Sequence, residues 1–297
     1  MDAGTQAALI IAATTVALPL SVSAGLTWLS AARGLRAASA LVGLTVGLLV
    51  SFCGVMSWGQ LWGPDAARAL FWSALAAGLL MSGAERLSAR WRGPLTLVTL
   101  ILASYMTLSP LAGLWAEGLA RALTHEWLIS PIIIAWGALL LNRVEVEAES
   151  SPAQLASLAV SFGVAAPVVG LSGSASIAQL LAAFGLSVAG VGLVALRRGE
   201  PPSRAVFVCG YIALYSTLLY AHHYLVPPLS ANVAALLLVA PCGARLTSRW
   251  SGAPLKQVSA SIALALLVSL SALGLVAEQQ LASAQEAVEV DEFGASY

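Results

Sequence analysis

The chain has 297 residues, 59% hydrophobic and only 9% charged, with fourteen basic residues balanced by fourteen acidic ones. A soluble domain carries about 25% charged residues, so this composition, with a mean hydropathy of +0.87, excludes water as the main solvent and points to a lipid bilayer. Zero net charge and the lack of any Lys/Arg block exclude nucleic acid as a partner.

The first apolar run, ALIIAATTVALPLSVSA from Ala8 to Ala24, has the apolar core and small-residue end of a cleaved leader. Its leading segment, however, holds Asp2 and no Lys or Arg, while Arg33 and Arg36 follow the run. That charge order predicts a retained first span with an outside N-terminus. Further runs able to cross a ~30 Å hydrocarbon core fall at 37–61, 66–84, 94–116, 127–141, 154–170, 175–196, 204–226, 229–244 and 257–277. The expected fold is therefore an all-α integral membrane protein, a polytopic bundle of about ten transmembrane helices with both termini outside. Its expected location is the inner (cell) membrane.

The loops support that count. With alternating spans, Arg33, Arg36, Arg86, Arg90, Arg92, Arg143, Arg197, Arg198, Arg204, Arg245, Arg249 and Lys256 lie inside, and only Arg68 and Arg121 lie outside. This is the bias that orients membrane proteins. The fifth run, WLISPIIIAWGALLL from Trp127 to Leu141, is short at roughly 22 Å, but removing it would invert every later loop. Trp28, Trp58, Trp62, Trp91, Trp115, Trp127 and Trp250 fall near predicted span ends, where an aromatic belt belongs. The segment 278–297 carries five acids and no base, and reads as a helical extension that frays or is disordered.

No Asp, Glu, Lys, Arg or His lies in the middle third of a predicted span. Buried ionisable groups in membranes are costly and usually serve ion coupling, proton relay or catalysis. Their absence argues against a proton-driven carrier and against metal-dependent chemistry at depth, so no cofactor is expected. Polar groups at depth are neutral: Thr14, Thr15, Ser21, Ser23, Ser51, Tyr105, Ser161, Tyr211, Tyr215, Ser216 and Asn232. Hydroxyls of this kind commonly bond their own helix or a neighbour. Gly43 and Gly47 form a GxxxG continued by Ser51, the pattern of close helix packing. Cys53, Cys209 and Cys242 stand singly in apolar runs and read as small buried hydrophobes.

Prolines suggest two halves, 1–149 and 150–277, followed by the acidic tail 278–297. Pro19 in the first span matches Pro167 in the sixth, and Pro110 in the fourth matches Pro241 in the ninth; Pro131 has no mate. Five spans per half would make the halves inverted, and paired broken helices in such carriers expose backbone groups to substrate. The architecture is similar to that of ten-helix carriers with crossed, broken helices, such as the auxin-efflux and bile-acid transporter groups, a likeness of fold level alone. The expected substrate site comprises Pro19, Ser21, Ser23, Pro110, Pro167, Ser172 and Pro241.

Three stretches invite other readings. GLSGSAS, Gly170 to Ser176, resembles the serine motif of rhomboid intramembrane proteases, in which a histidine on another helix is the base. Here His222 is followed by HYLVPP, where that family has small residues, and the stretch reads as a hairpin. SWGQLWGPD, Ser57 to Asp65, resembles in part the tryptophan-rich segment of cytochrome c assembly proteins, and otherwise reads as an interface anchor. His222 and His223 end the eighth span on the same side as His125 and Glu126. Imidazole and carboxylate could ligate zinc, but adjacent helical residues diverge by about 100°, so the pair reads as interfacial. Two functions follow: a carrier for an uncharged or amphipathic small molecule, or a non-catalytic membrane subunit docked on a partner. The bilayer itself is the one partner common to both.

Overall fold

The computed structural model describes residues 13–32, 36–62, 67–84, 88–109, 126–142, 151–225, 228–247 and 254–294. Pro110, Glu117, Arg121, His125, Asp65, Glu85 and Arg143 lie outside them, as does the start of the first apolar run. Among the described residues the fold is helical without strands. A π-helical turn, Ala13–Ala17, leads into α1 (Leu18–Ala32). Then come α2 (Arg36–Met56), the short α3 (Trp58–Trp62), α4 (Arg68–Ala84), α5 (Ala89–Leu108) and α6 (Glu126–Leu141). The remainder is α7 (Pro152–Leu171), α8 (Ala175–Arg198), α9 (Arg204–Tyr224), α10 (Ala231–Val239), a 3₁₀ turn (Ala240–Cys242), α11 (Gly243–Thr247) and α12 (Pro254–Gly294).

Five helical stretches are long and apolar enough to cross a membrane: Thr15–Ala32, Pro152–Leu171, Ala175–Arg198, Arg204–Tyr224 and Leu255–Ala282. They mark the chain as a membrane protein. Shorter apolar helices stand at Ala40–Met56, Arg68–Ala84, Pro131–Leu141 and Ala231–Arg245. α12 is 41 residues long, about 60 Å at 1.5 Å per residue, so the helix continues past the apolar stretch into the acidic tail as far as Gly294.

Local chemistry sets the helix ends. Ser151 caps α7: its hydroxyl accepts from Gln154 N (3.2 Å) while Gln154 Oε1 accepts from Ser151 N (2.7 Å), with Pro152 at the first helical position. Ser174 accepts from Ile177 N to start α8, and Gly199, left-handed at φ 67°, ends it behind Arg197 and Arg198. Beside that end, the Arg198 guanidinium stacks 4.1 Å over the Trp28 ring and donates to Trp28 O.

α9 is the axis of the bundle. Seventeen of its twenty-one residues are buried, which leaves it little surface for lipid; α4, α5, α7, α8 and α10 pack around it. Its polar side chains meet partners on those neighbours. Ser216 pairs with Ser73 of α4 at 2.8 Å, Tyr215 with Ser104 of α5 at 2.7 Å, and Tyr211 donates to Leu238 O of α10 at 3.0 Å. Contacts of this kind in membranes are worth about 0.6 kcal/mol each on average, so they fix register more than they supply stability. Arg204, the first residue of α9, is also buried, whereas the sequence reading places it in a loop.

α1, α2 and α8 meet at a second junction built from small residues. Ser23 is fully buried there. Gly43 lies against Thr27 and Ser23 O, Gly47 against Ser23 and Ser187, and Gly190 against Ser23 Oγ and Leu20 O. Ser51 bonds Ser187 across the same contact at 3.1 Å. The GxxxG of α2 is thus a helix-packing surface, as its spacing predicts.

Candidate functional site

Two of the apolar segments, one long and one short, lose regular α-helical hydrogen bonding. Pro19 has no N–H to donate to the carbonyl one turn earlier, and the preceding residues Ala13–Ala17 widen into a π-turn. Pro241 removes the donor for Leu237 O, and the chain tightens into the 3₁₀ turn Ala240–Cys242 between α10 and α11. The groups around the second break find partners nearby. Ser157 of α7 shares its hydroxyl hydrogen between Gln154 O at 2.9 Å and Pro241 O at 3.1 Å, Gln154 Nε2 donates to Asn142 O at 3.2 Å, and Asn142 Nδ2 reaches Cys242 Sγ at 3.6 Å. The junction of α6, α7 and the 3₁₀ turn is therefore tied by neutral polar contacts.

Toward the opposite end of α10, a cavity of about 220 Å³ opens between α6, α9 and α10. Pro131 and Ile134 line it from α6, Tyr215, Leu218, Leu219 and His222 from α9, and Asn232 and Leu238 from α10. It exceeds the 150 Å³ apolar cavity known to hold benzene. Tyr215 is the twelfth of the twenty-one residues of α9, so the cavity reaches from the helix end to about half its length. Its wall is mostly hydrocarbon with a few polar groups, the usual make-up of a small-molecule site.

Tyr215 and His222 each hold a hydrogen-bond partner. Ser104 gives its own hydrogen to Leu100 O at 2.8 Å, so the 2.7 Å contact with Tyr215 is made by the phenol hydrogen. Only lone pairs remain on the phenol oxygen. His222 Nδ1 faces Leu229 O, which can only accept, so Nδ1 donates in that bond. Pro131 has no N–H, so the carbonyl of Trp127 one turn earlier lacks its helical donor. Asn232, exposed at the cavity mouth, offers both a donor and an acceptor.

The expected substrate residues do not form this site. Ser23 is sealed at the glycine junction, and its hydroxyl bonds Leu20 O. Pro19 is buried on the same helix, while Ser21 is exposed and bonds Ala17 O. Pro167 lies on the exposed side of α7, and Ser172 is buried at its end with its hydroxyl on Val168 O. Pro110 lies outside the described residues. Pro241 alone neighbours the cavity helix, at the far end of α10. The cavity instead uses Pro131, which the proline pairing leaves without a mate, and His222. His222 and His223 are both half-buried and stack edge to face at 4.8 Å. The signal for this site was a proline, an asparagine, a tyrosine and a histidine in three separate runs, and no linear motif joins them.

Among the described residues no group of three histidine, cysteine or carboxylate side chains is placed to hold a metal. His125 and the side chain of Glu126 lie outside those residues. The chain matches no known protein family and no curated protein.

Proposed function

We propose that the protein is a multi-pass carrier of the cell membrane for a small uncharged or amphipathic molecule, with the cavity between α6, α9 and α10 as its binding site. The observation that carries the reading is the cavity itself: largely apolar, reaching half the length of the most buried helix, and beside a helix broken at Pro241. A rigid segment interrupted at one point can pivot there, as the broken helices of many carriers do. The reading includes ten crossings oriented by the arginine bias, with the cavity mouth on the outer side.

Two inverted halves belong to the same reading, and the helix contacts support them in part. α1 packs on α2 much as α7 packs on α8. α2 against α8 and α4 against α9 are pairs that a two-fold relation would map onto themselves. Other features depart from the symmetry, since Pro19 is buried and Pro167 exposed, and α7 packs extensively on α12.

Stopped-flow light scattering of proteoliposomes tests the carrier reading. With 1,2-hexanediol or benzamide as solute, volume relaxation is expected to be faster than in protein-free vesicles. Ala235→Trp, which fills the cavity from α10, is expected to return it to the protein-free rate. Equal rates for all three preparations overturn the reading. They would favour a docked, non-catalytic subunit, for which the observation is α12, whose helix runs on beyond the apolar stretch and could meet a partner outside the bilayer.

A further inference from the structure

The polar chemistry of the cavity names a ligand class. This step rests on the cavity's being the binding site. We infer that the site selects a neutral molecule with an apolar body and a hydrogen-bond donor, an alcohol, a phenol or an N–H heterocycle, whose donor faces Tyr215.

The deep wall offers a hydrogen-bond acceptor. The Tyr215 phenol has committed its hydrogen to Ser104, and Ser104 its own to Leu100 O. A ligand that brings a hydroxyl or N–H converts this phenol acceptor into a formed bond. A ligand with only an ether oxygen sets acceptor against acceptor. Sites built around a hydrogen bond discriminate strongly against analogues that lack the matching group.

Charge is excluded at both signs. Among the described residues lining the cavity there is no acid or base apart from His222. An ammonium would lose its hydration with no carboxylate to replace it, and a carboxylate would meet the phenol acceptor instead of a donor. The body of the ligand lies along Leu218, Leu219, Ile134 and Leu238, where each buried CH₂ contributes about 0.8 kcal/mol. Asn232 at the mouth, with both donor and acceptor, tolerates a second polar group at the other end of the ligand.

The test is equilibrium binding to the full-length protein in lipid nanodiscs, with four probes of one shape: p-cresol, 4-methylanisole, toluene and benzyltrimethylammonium. The signal from Ala235→Trp, which sees the same partition into lipid, is subtracted; Ala231→Leu serves as a second filled variant if the first does not fold. The expected result is p-cresol binding at least tenfold tighter than 4-methylanisole or toluene, with no binding of the cation. Tyr215→Phe is expected to remove that preference while leaving toluene binding within about twofold. Equal binding of p-cresol and 4-methylanisole, displaced in both filled variants, overturns the donor rule and leaves the cavity as a site. Absence of any probe signal above the filled variants overturns both the donor rule and the carrier reading.

Discussion

Gly43→Ala and Gly190→Ala are each expected to destabilise the folded protein by about 1–3 kcal/mol, the range for overpacking a close contact. A β-carbon at Gly43 would stand 2.0 Å from Thr27 Oγ1 and 2.7 Å from Ser23 O. At Gly190 it would stand 2.2 Å from Ser23 Oγ, 2.8 Å from Leu20 O and 3.2 Å from Ala24 N. A hydroxyl can rotate away, but the backbone atoms move only if α1 shifts off α2 and α8. Gly25→Ala and Gly163→Ala provide the contrast, because nothing lies within 4 Å of either new methyl group. Those two are expected to be neutral or to stabilise by up to about 1 kcal/mol through helix propensity. Unfolding in mixed micelles titrated with dodecyl sulfate measures all four. Equal losses at the four positions would remove the claim that α1, α2 and α8 meet through their glycines.

Pro241→Ala is expected to slow solute flux at least tenfold while the protein still folds. Alanine restores the donor to Leu237 O and lets α10 run directly into α11. The straightened helix cannot keep both Pro241 O on Ser157 and Leu238 O on Tyr211, because Leu238 precedes the present 3₁₀ turn and Pro241 lies within it. Leu238 lines the cavity, so its shift alters the site as well as the pivot. Pro167→Ala is expected to leave flux unchanged, since Pro167 is exposed on α7 and the helix there is unbroken. The same light-scattering assay reads both variants. Parental flux in Pro241→Ala would separate the helix break from function.

Much of the fold was legible because membrane helices announce themselves through composition. The apolar runs of the sequence fall largely on helices where residues are described, five of which are long and apolar enough to cross a membrane, and the GxxxG of α2 forms the close contact its spacing implies. The capping residues Ser151, Gln154 and Gly199 are equally local signals. The site was less legible. Paired prolines drew attention to Pro19 and Pro167, yet a proline marks only a missing hydrogen bond. Whether the gap faces substrate, lipid or another helix depends on tertiary packing. Ser23 shows the same limit: a hydroxyl in an apolar run reads alike whether it lines a cavity or seals a glycine contact. His222 looked interfacial because it closes a span, and its hydrogen bond to Leu229 O depends on how the chain returns into α10. Burial of Arg204 escaped for a related reason, since a lone arginine at a span boundary carries no sign of the helices around it.

The most direct test of the account is the position of bound 4-iodophenol, located by its anomalous scattering in crystals of the full-length protein. The expected result is an iodine peak among Leu218, Leu219 and Ala234, with the phenol hydroxyl within hydrogen-bonding distance of the Tyr215 oxygen. An iodine peak on the lipid-facing surface with the cavity vacant would contradict it.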